Sequence, residues 1–440
     1  MAVSRLRILQ PLRSKDFARW TAGASISLLG DGIFLVALAW QVYDLWSAPA
    51  AFAIVGAVWT LPNVAFLLLG GVISDRLDRR KVMIAADVLR AVAIGAIGVL
   101  SATGAIELWH VFVGIGFMGV GDAFFNPAST AIVPDLVDAG ELTQANALAG
   151  MLRPFMLRFA GPAIGGVLVG TVGAGWALIA DAATFLVSAV AVSRITPRPL
   201  PVRDAADGGP RRFRRELGEG WAFVRRSPWC WATLLAALLS LLAFFGPLEV
   251  LLPYLAKEVH RWTPETLGLI FGAGGVGALL GALVLGQRGL PRRMVSFMYW
   301  AWAIGVLAIA VFGVMTQVWH AVLASFLMQL GFQLGTVVWV TLMQRLVPRH
   351  LLGRVTSLDW MVSIGLVPVS FLLTAPAAQL FGPQATLIGG GVIAAVVTAV
   401  LLYLPGVRDP ERPETPLGRQ MTPSSSSVAS SSADSLSSSR

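Results

Sequence analysis

Long apolar runs alternate with short polar breaks along the whole chain. The runs fall at 17–46, 50–73, 82–103, 108–131, 147–170, 173–194, 229–256, 264–286, 294–315, 317–344, 355–380 and 384–404. Each is long enough to cross a bilayer core, which takes about 20 residues of helix. A chain in lipid must satisfy its own N–H and C=O groups, so runs of this length predict helices. The pattern predicts an all-α polytopic membrane protein with twelve transmembrane helices, and the even count puts both termini on one face.

Composition agrees. Of 440 residues, 56% are hydrophobic and only 13% charged, against about 25% charged in a soluble domain. The net charge of +9 is not read as a nucleic-acid footprint, because the basic residues follow the topology. One set of loops holds the N-terminal residues, Arg76, Arg79, Arg80, Lys81, the segment 195–228, Arg288, Arg292, Arg293, Arg345, Arg349, Arg354 and the C-terminal residues. The opposite set holds only Lys257 and Arg261. By the positive-inside rule, both termini and the 195–228 segment are expected in the cytoplasm. Residues 1–19 are basic, but the apolar run after them is too long for a signal-peptide core and lacks a cleavage site. The single cysteine, Cys230, excludes an internal disulfide and a cysteine-cluster metal site.

The expected organisation is a cytoplasmic tail at 1–16, a six-helix bundle at 17–194, a cytoplasmic linker at 195–228, a second six-helix bundle at 229–404 and a disordered Ser-rich tail at 405–440. Residues 214–226 of the linker read as an amphipathic helix on the inner leaflet, with Leu217, Trp221 and Val224 on one face, or else as a solvated connection. Asp75-Arg76-Leu77-Asp78-Arg79-Arg80 between spans 2 and 3 is weakly repeated as Gln287-Arg288-Gly289-Leu290-Pro291-Arg292-Arg293 between spans 8 and 9. Two similar halves with a long link are the layout of a secondary transporter.

Ionisable residues inside membrane spans are costly and mark function by default. Asp31 lies near the middle of span 1, with Ser27 and Gln41 on its helical face. Asp122 shares a face of span 4 with Asn126, and Glu249 lies in span 7. Gln329, Gln333 and Thr336 are in register on span 10, and Trp339 is a candidate for the same wall. A carboxylate in low dielectric favours its neutral form, which suits it to taking up and releasing protons. Asp31 is the first candidate for proton coupling, with Glu249 and Asp122 after it. The alternative is a structural pair, such as Asp31 or Asp122 with Arg158 of span 5. Asp181 and Asp359 are expected to satisfy neighbouring helices. Arg90 and Arg153 are expected to reach toward headgroups or toward carboxylates such as Asp87. The glycines of span 5 and of span 8 (Gly268, Gly272, Gly277, Gly281) allow close approach, either as a sliding seal or as plain tight packing.

The segment Gly71-x-x-x-Asp75-Arg76-x-Asp78-Arg79-Arg80 resembles the loop 2–3 signature of the major facilitator superfamily, with Asp78 where the family has its second glycine. Gly161-Pro162-Ala163-Ile164-Gly165-Gly166, with Arg158 before it, is similar to the antiporter motif of the superfamily's drug exporters. Gly30-Asp31-Gly32, Asn126-Pro127-Ala128, Leu142-Thr143-Gln144-Ala145-Asn146, Pro247-Leu248-Glu249 and Gly353-Arg354-Val355 resemble the drug–proton antiporter branch that includes macrolide and multidrug exporters and the enterobactin exporter. The resemblance implies two six-helix bundles around a cavity lined by spans 1, 4, 7 and 10. It implies export of amphipathic small molecules by proton antiport, in a monomer in contact with lipid in a bacterial plasma (inner) membrane. It also implies a latch closing the cytoplasmic side, built on Gly71, Asp75, Arg76, Arg79 and Arg80. There Asp75 would lie near Thr356 and Ser357, and Arg76 or Arg79 would meet Asp135. A dedicated siderophore or metabolite exporter is the alternative, and a non-transporting membrane sensor a more distant one.

No cofactor, metal or nucleic-acid partner is expected, and no enzymatic activity. Gly114–Gly119 and Gly272–Gly277 match a dinucleotide-binding glycine pattern but lie inside apolar spans, where no βαβ unit can form. The four histidines lack metal-ligand spacing.

Overall fold

A computed structural model describes residues 7–138, 141–196, 210–412 and 417. Inside the helices, some side chains, including those of Gly71, Asp75, Arg76, Leu217 and Ser357, lie outside the described ones. Among the described residues, twelve helical stretches are long and apolar enough to cross a membrane. Span 1 is α1 (Lys15–Leu45), span 2 is α2 (Pro49–Arg76), span 3 is α3 (Arg79–Ala102) and span 4 is α4 (Leu108–Leu136). Span 5 joins α5 (Leu142–Pro154), a π-helical turn (Phe155–Ala160) and α6 (Gly161–Val172); span 6 is α7 (Ala174–Ser193). After α8 (Pro210–Arg226), span 7 joins α9 (Pro228–Tyr254) to a second π-helical turn (Leu255–Val259). Span 8 is α10 (Pro264–Arg288), and span 9 is α11 (Met294–Leu307) with α12 (Ile309–Val314). Span 10 is α13 (Val318–Leu346), span 11 is α14 (Arg349–Gly365) with α15 (Val367–Phe381), and span 12 is α16 (Pro383–Leu401).

Local chemistry sets these boundaries. Spans 2, 7, 8 and 12 begin with proline in the first turn, where no intrahelical donor is lost. Gly173 (φ 91°) joins spans 5 and 6, and Gly382 (φ 86°) joins spans 11 and 12 at the equivalent point of the other half. Both need a backbone conformation that glycine adopts without strain. A second repeat lies at the start of spans 4 and 10. Glu107-Leu108-Trp109-His110 and Gln317-Val318-Trp319-His320 each form a capping box, in which the histidine Nδ1 accepts the N–H of the acidic or amide residue three positions earlier, at 3.0 and 3.4 Å. Two of the four histidines are therefore helix caps.

The signature between spans 2 and 3 is less of a loop than expected. α2 stays helical through Arg76, and Asp78 is the N-cap of α3, accepting the Arg80 N–H at 3.0 Å. Its φ of −56° needs no glycine. α8 packs on the second bundle through Val224, 1% exposed, whereas Trp221 is 55% exposed. The expected common face for Trp221 and Val224 is thus divided between protein and surroundings. Glu219 of α8 pairs with Arg354 of α14.

Disorder from residue 405 does not hold for the first part of the tail. Val407 is fully buried, and Glu411 accepts the Ser296 N–H at 2.9 Å, the Ser296 hydroxyl at 2.5 Å and Arg408 Nε at 2.9 Å. Burial opposes ionisation of Glu411, but these donors prevail and hold its carboxyl below the usual range. The Ser-rich remainder and most of the linker before α8 lie outside the described residues.

The two bundles meet on the half of the molecule away from the termini. α6 packs on α10, where a Cβ on Gly166 would come within 2.8 Å of the Pro264 carbonyl and 3.2 Å of Gly268 Cα. Only glycine admits so close a crossing. α2 packs on α15, with Gly56 against the Phe371 ring. Tyr43 at the end of α1 donates to the Val250 carbonyl of α9 at 2.5 Å. Lys257 of the second π-helical turn donates to the Trp40 carbonyl at 2.8 Å and pairs with Asp44. The span 8 glycines serve two faces. Gly268 and Gly272 look toward span 5, while Gly277 and Gly281 look toward span 10.

Candidate functional site

Between the bundles lies a cavity of about 860 Å³ that reaches from the sealed half to the face carrying the termini. Its two walls differ. The first bundle supplies Ser27, Asp31, Asp122, Asn126, Arg153 and Arg158. The second supplies Phe244, Phe245, Trp302, Phe332 and Trp360 together with Glu249, Thr336, Trp339 and Asp359. The difference is one of degree: the first wall also carries rings such as Phe34, Trp59 and Phe125 but is richer in charged and polar groups, and the second is richer in aromatic rings.

Gln41, Gln329 and Gln333 do not belong to this lining. Gln41 is buried and accepts a hydrogen bond from Ser101 of span 3. Gln329 and Gln333 lie against Gly274 and Gly281 of span 8. The cavity takes the adjoining stripe of α13, through Phe332, Thr336 and Trp339. A shared helical face is about 100° wide, so one edge of it meets span 8 and the other the cavity.

The acids fall into three environments. Asp122 is locked. It accepts Arg90 Nη1 on Oδ1 at 3.1 Å and Trp59 Nε1 on Oδ2 at 2.9 Å. Arg90 is 2% exposed, also pairs with Asp87, and lies 4.1 Å from the Phe125 ring centre and 4.4 Å from that of Phe185. The alternative pairing of Asp31 or Asp122 with Arg158 is not what forms, and of the two goals expected for Arg90, headgroups or a carboxylate such as Asp87, the carboxylate is the one it meets. Arg90 is a buried hub joining spans 3 and 4. Glu249 takes Arg158 in a loose pair of 3.9 Å that crosses from one bundle to the other. Asp31 is different again. Its Oδ1 is buried without a hydrogen-bond partner among the described residues. On the opposite wall Asp359 accepts Trp339 Nε1 at 3.1 Å.

The π-helical turn in span 5 places Arg158. Pro162 has no N–H, and its ring would crowd the carbonyl four residues earlier, which is that of Arg158. The helix opens by one residue there, as helices often do at functional sites. Gly161 and Gly165 then press against Gly32 and Ile33 of α1, next to Asp31. The antiporter-like motif therefore braces both the helix of Asp31 and, through Gly166, the opposite bundle.

Of the latch residues, Arg79 donates to Asp135 at 2.6 Å and to the Ala131 carbonyl at 3.0 Å. Arg80 donates to the Ser193 carbonyl at 2.8 Å. These contacts tie span 3 to the C-terminal ends of spans 4 and 6, where the helix dipole favours a cation. They lie within one bundle. The side chains of Gly71, Asp75 and Arg76 lie outside the described ones.

The lone Asp87–Arg90 spacing in span 3 was the sequence signal for the hub. The pairing of Lys257 with Asp44 had none, because the partners are 213 residues apart. Among the described residues, no group of three metal-ligating side chains gathers anywhere.

The family model described as "Transmembrane secretion effector" matches residues 7–425. Macrolide efflux protein A of Streptococcus pyogenes is 25% identical over 372 residues, covering 84% of this chain and 90% of that protein. The multidrug efflux pump Tap of Mycolicibacterium fortuitum is 28% identical over 409 residues, covering 91% and 97%. The enterobactin exporter EntS of Citrobacter koseri is 28% identical over 363 residues, covering 81% and 82%. The solved structure of the nucleoside transporter NupG superposes with a TM-score of 0.66 at 12% identity, covering 88% of this chain and 98% of that one. That likeness concerns the fold alone. The chain belongs to the transmembrane secretion effector family, within the major facilitator superfamily.

Proposed function

We propose that this efflux-type transporter exports amphipathic small molecules by proton antiport, in a bacterial plasma membrane with both termini in the cytoplasm. One observation carries the reading: carboxyls on opposite bundles, Asp31 and Glu249, line one cavity, the first unpartnered and the second paired loosely across the gap. Protonation of Glu249 would remove the charge that holds Arg158, and with it a tie between the bundles. Asp31 would load a proton from one side and release it on the other. The six-helix halves would be the moving units, as a monomer. Ser27, Asn126, Thr336 and Trp339 would contact substrate, and the aromatic wall would take its apolar face. On the cytoplasmic side, the resemblance supports a latch in which Asp75 reaches span 11 when the cavity opens outward.

The test uses ethidium uptake into inverted vesicles, with and without an imposed pH gradient. Wild-type uptake should fall severalfold when the gradient collapses, and Asp31→Asn should abolish the gradient-driven part. Uptake that ignores the gradient and is unchanged by Asp31→Asn sinks proton coupling. The relative that exports enterobactin favours a second reading, a dedicated metabolite exporter. Resistance of a producing strain confined to a single compound class, across a broad drug panel, would select it.

A further inference from the structure

Behind the cavity wall, spans 1, 3 and 6 enclose polar atoms that the ion pairs leave unused. Asp181 on α7 is fully buried, and its Oδ2 has no hydrogen-bond partner among the described residues. Thr184 Oγ1 donates to the Asp181 carbonyl at 2.7 Å and lies 3.5 Å from Asp181 Oδ1. α1 crosses α7 here at Gly30, where a Cβ would collide with both Thr184 Oγ1 and Asp181 Oδ1. The next residue is Asp31, whose Oδ1 is also buried and unpartnered and whose side chain reaches the cavity. Two carboxyls thus lie at one crossing of α1 and α7, one reaching the cavity and one sealed behind it.

The charged groups facing them are Arg90 and Asp87 of α3, Asp122 of α4 and Arg153 of α5. α6, which also packs on α7, has no ionisable side chain. Arg90 gives its two terminal nitrogens to Asp87 and Asp122, and its Nε is buried without a partner among the described residues, so Arg90 faces Asp31 and Asp181 without bonding to either. Adjacent carboxylates in a low-dielectric site oppose each other's ionisation, so the pair gives up its last proton with difficulty. We propose that Asp181 is a positioning residue for proton exchange: it shares one proton with Asp31, which exchanges that proton with the cavity while Asp181 sets how tightly it is held. Uptake adds one proton to the pair and neutralises one of its two negative charges. The inference rests on the reading of Asp31 as the exchange site.

The test is an infrared titration of the purified full chain in nanodiscs, reading the C=O stretch of protonated carboxyl groups; every sample, including the reference called wild type here, carries Glu249→Gln, so that the other titrating cavity carboxyl is silent. In the wild type the band persists at neutral pH and follows pH reversibly. With Asp31→Asn the band remains but no longer follows pH, because Asp181 is sealed from the cavity. With Asp181→Asn, Asp31 loses the neighbouring charge and gives up its proton about tenfold more readily, so the midpoint moves about one unit toward acid. Asp181→Ser, also neutral but smaller, gives the same shift, which a packing effect would not. A wild type with no such band at neutral pH overturns the proposal, as does a midpoint unmoved in both Asp181 variants. If Asp31→Asn titrates like the wild type, the exchange site itself is misassigned. If only the Asp181 variants are silent, the exchange site stands and the role of Asp181 falls. The titration is repeated in sodium and in choline buffer. A midpoint that depends on sodium means that the pair holds that ion, and overturns proton sharing.

Discussion

At the scale of single residues, two arginines within membrane spans have opposite energetics. The Arg90 side chain is 3% exposed and serves two carboxylates whose own side chains are 0% and 11% exposed. Removing one partner of such a buried set leaves uncompensated charge and costs about 3–5 kcal/mol. The Arg158 side chain is 38% exposed and meets Glu249 at 3.9 Å, a geometry worth under about 1 kcal/mol. Arg90→Met should therefore lose most of its monodisperse protein on mild heating in detergent. Arg158→Met should survive the same ramp nearly as well as the wild type, yet transport poorly. Equal heat resistance of the two variants would remove Arg90 from its place as structural hub. Only part of this contrast was legible beforehand. A charge inside an apolar run announces a partner, and Asp87 stands three residues away on the same helix. Asp122 and Trp59 come from other helices, Asp122 being 32 residues from Arg90 and 63 from Trp59 in sequence, and spacing along one helix carries no information about them.

At the scale of elements, the sequence pattern is most informative where physics leaves fewest choices. The bilayer demands a minimum helix length and full backbone hydrogen bonding, so all twelve spans lie close to where the apolar runs put them. Helix faces are harder to read. Gln41, Gln329 and Gln333 share stripes with cavity residues but are claimed by spans 3 and 8, because each helix borders several neighbours at once. Departures from the regular helix are also hidden in the pattern. Pro154 and Pro162 bracket the π-helical turn of span 5, and Pro253 precedes that of span 7. Proline signals disruption without stating its form. Asp78 shows the reverse case, a departure from a family motif that local chemistry explains. It stands where the superfamily signature has glycine, and it caps α3 through the Arg80 N–H. Asp78→Ala should lower stability by about 1 kcal/mol, whereas Asp78→Gly, which restores the motif, should cost only a few tenths. Thermal melts of the two purified variants check this order. Equal losses would mean that the cap contributes nothing and that the charge of Asp78 acts elsewhere.

At the scale of the whole molecule, what holds one side shut must be weak enough to yield. The bundles meet away from the termini through a glycine crossing, the Tyr43 hydrogen bond and the contacts of Lys257. Lys257 also lies 4.9 Å from the Trp40 ring centre, so one ammonium group engages a carbonyl, a carboxylate and a π face of the opposite bundle. Among the described residues, each ion pair between the bundles thus draws its cation from a π-helical turn, Arg158 in span 5 and Lys257 in span 7. Loss of about 1–2 kcal/mol on one side shifts a two-state equilibrium by about 5- to 30-fold. Lys257→Met should accordingly raise the population open on the side opposite the termini. A cysteine in place of Asn126, on the exposed cavity wall, reads this out by its labelling with a membrane-impermeant maleimide from that side. The native Cys230 is buried and contributes little background. Labelling should rise severalfold with Lys257→Met. It should fall with Asp75→Asn, if the latch on the terminal face supports the outward-open form. Unchanged labelling with Lys257→Met would show that the glycine crossing alone seals the cavity. A fall with Lys257→Met would reverse the assignment, because the pair would then stabilise the outward-open form.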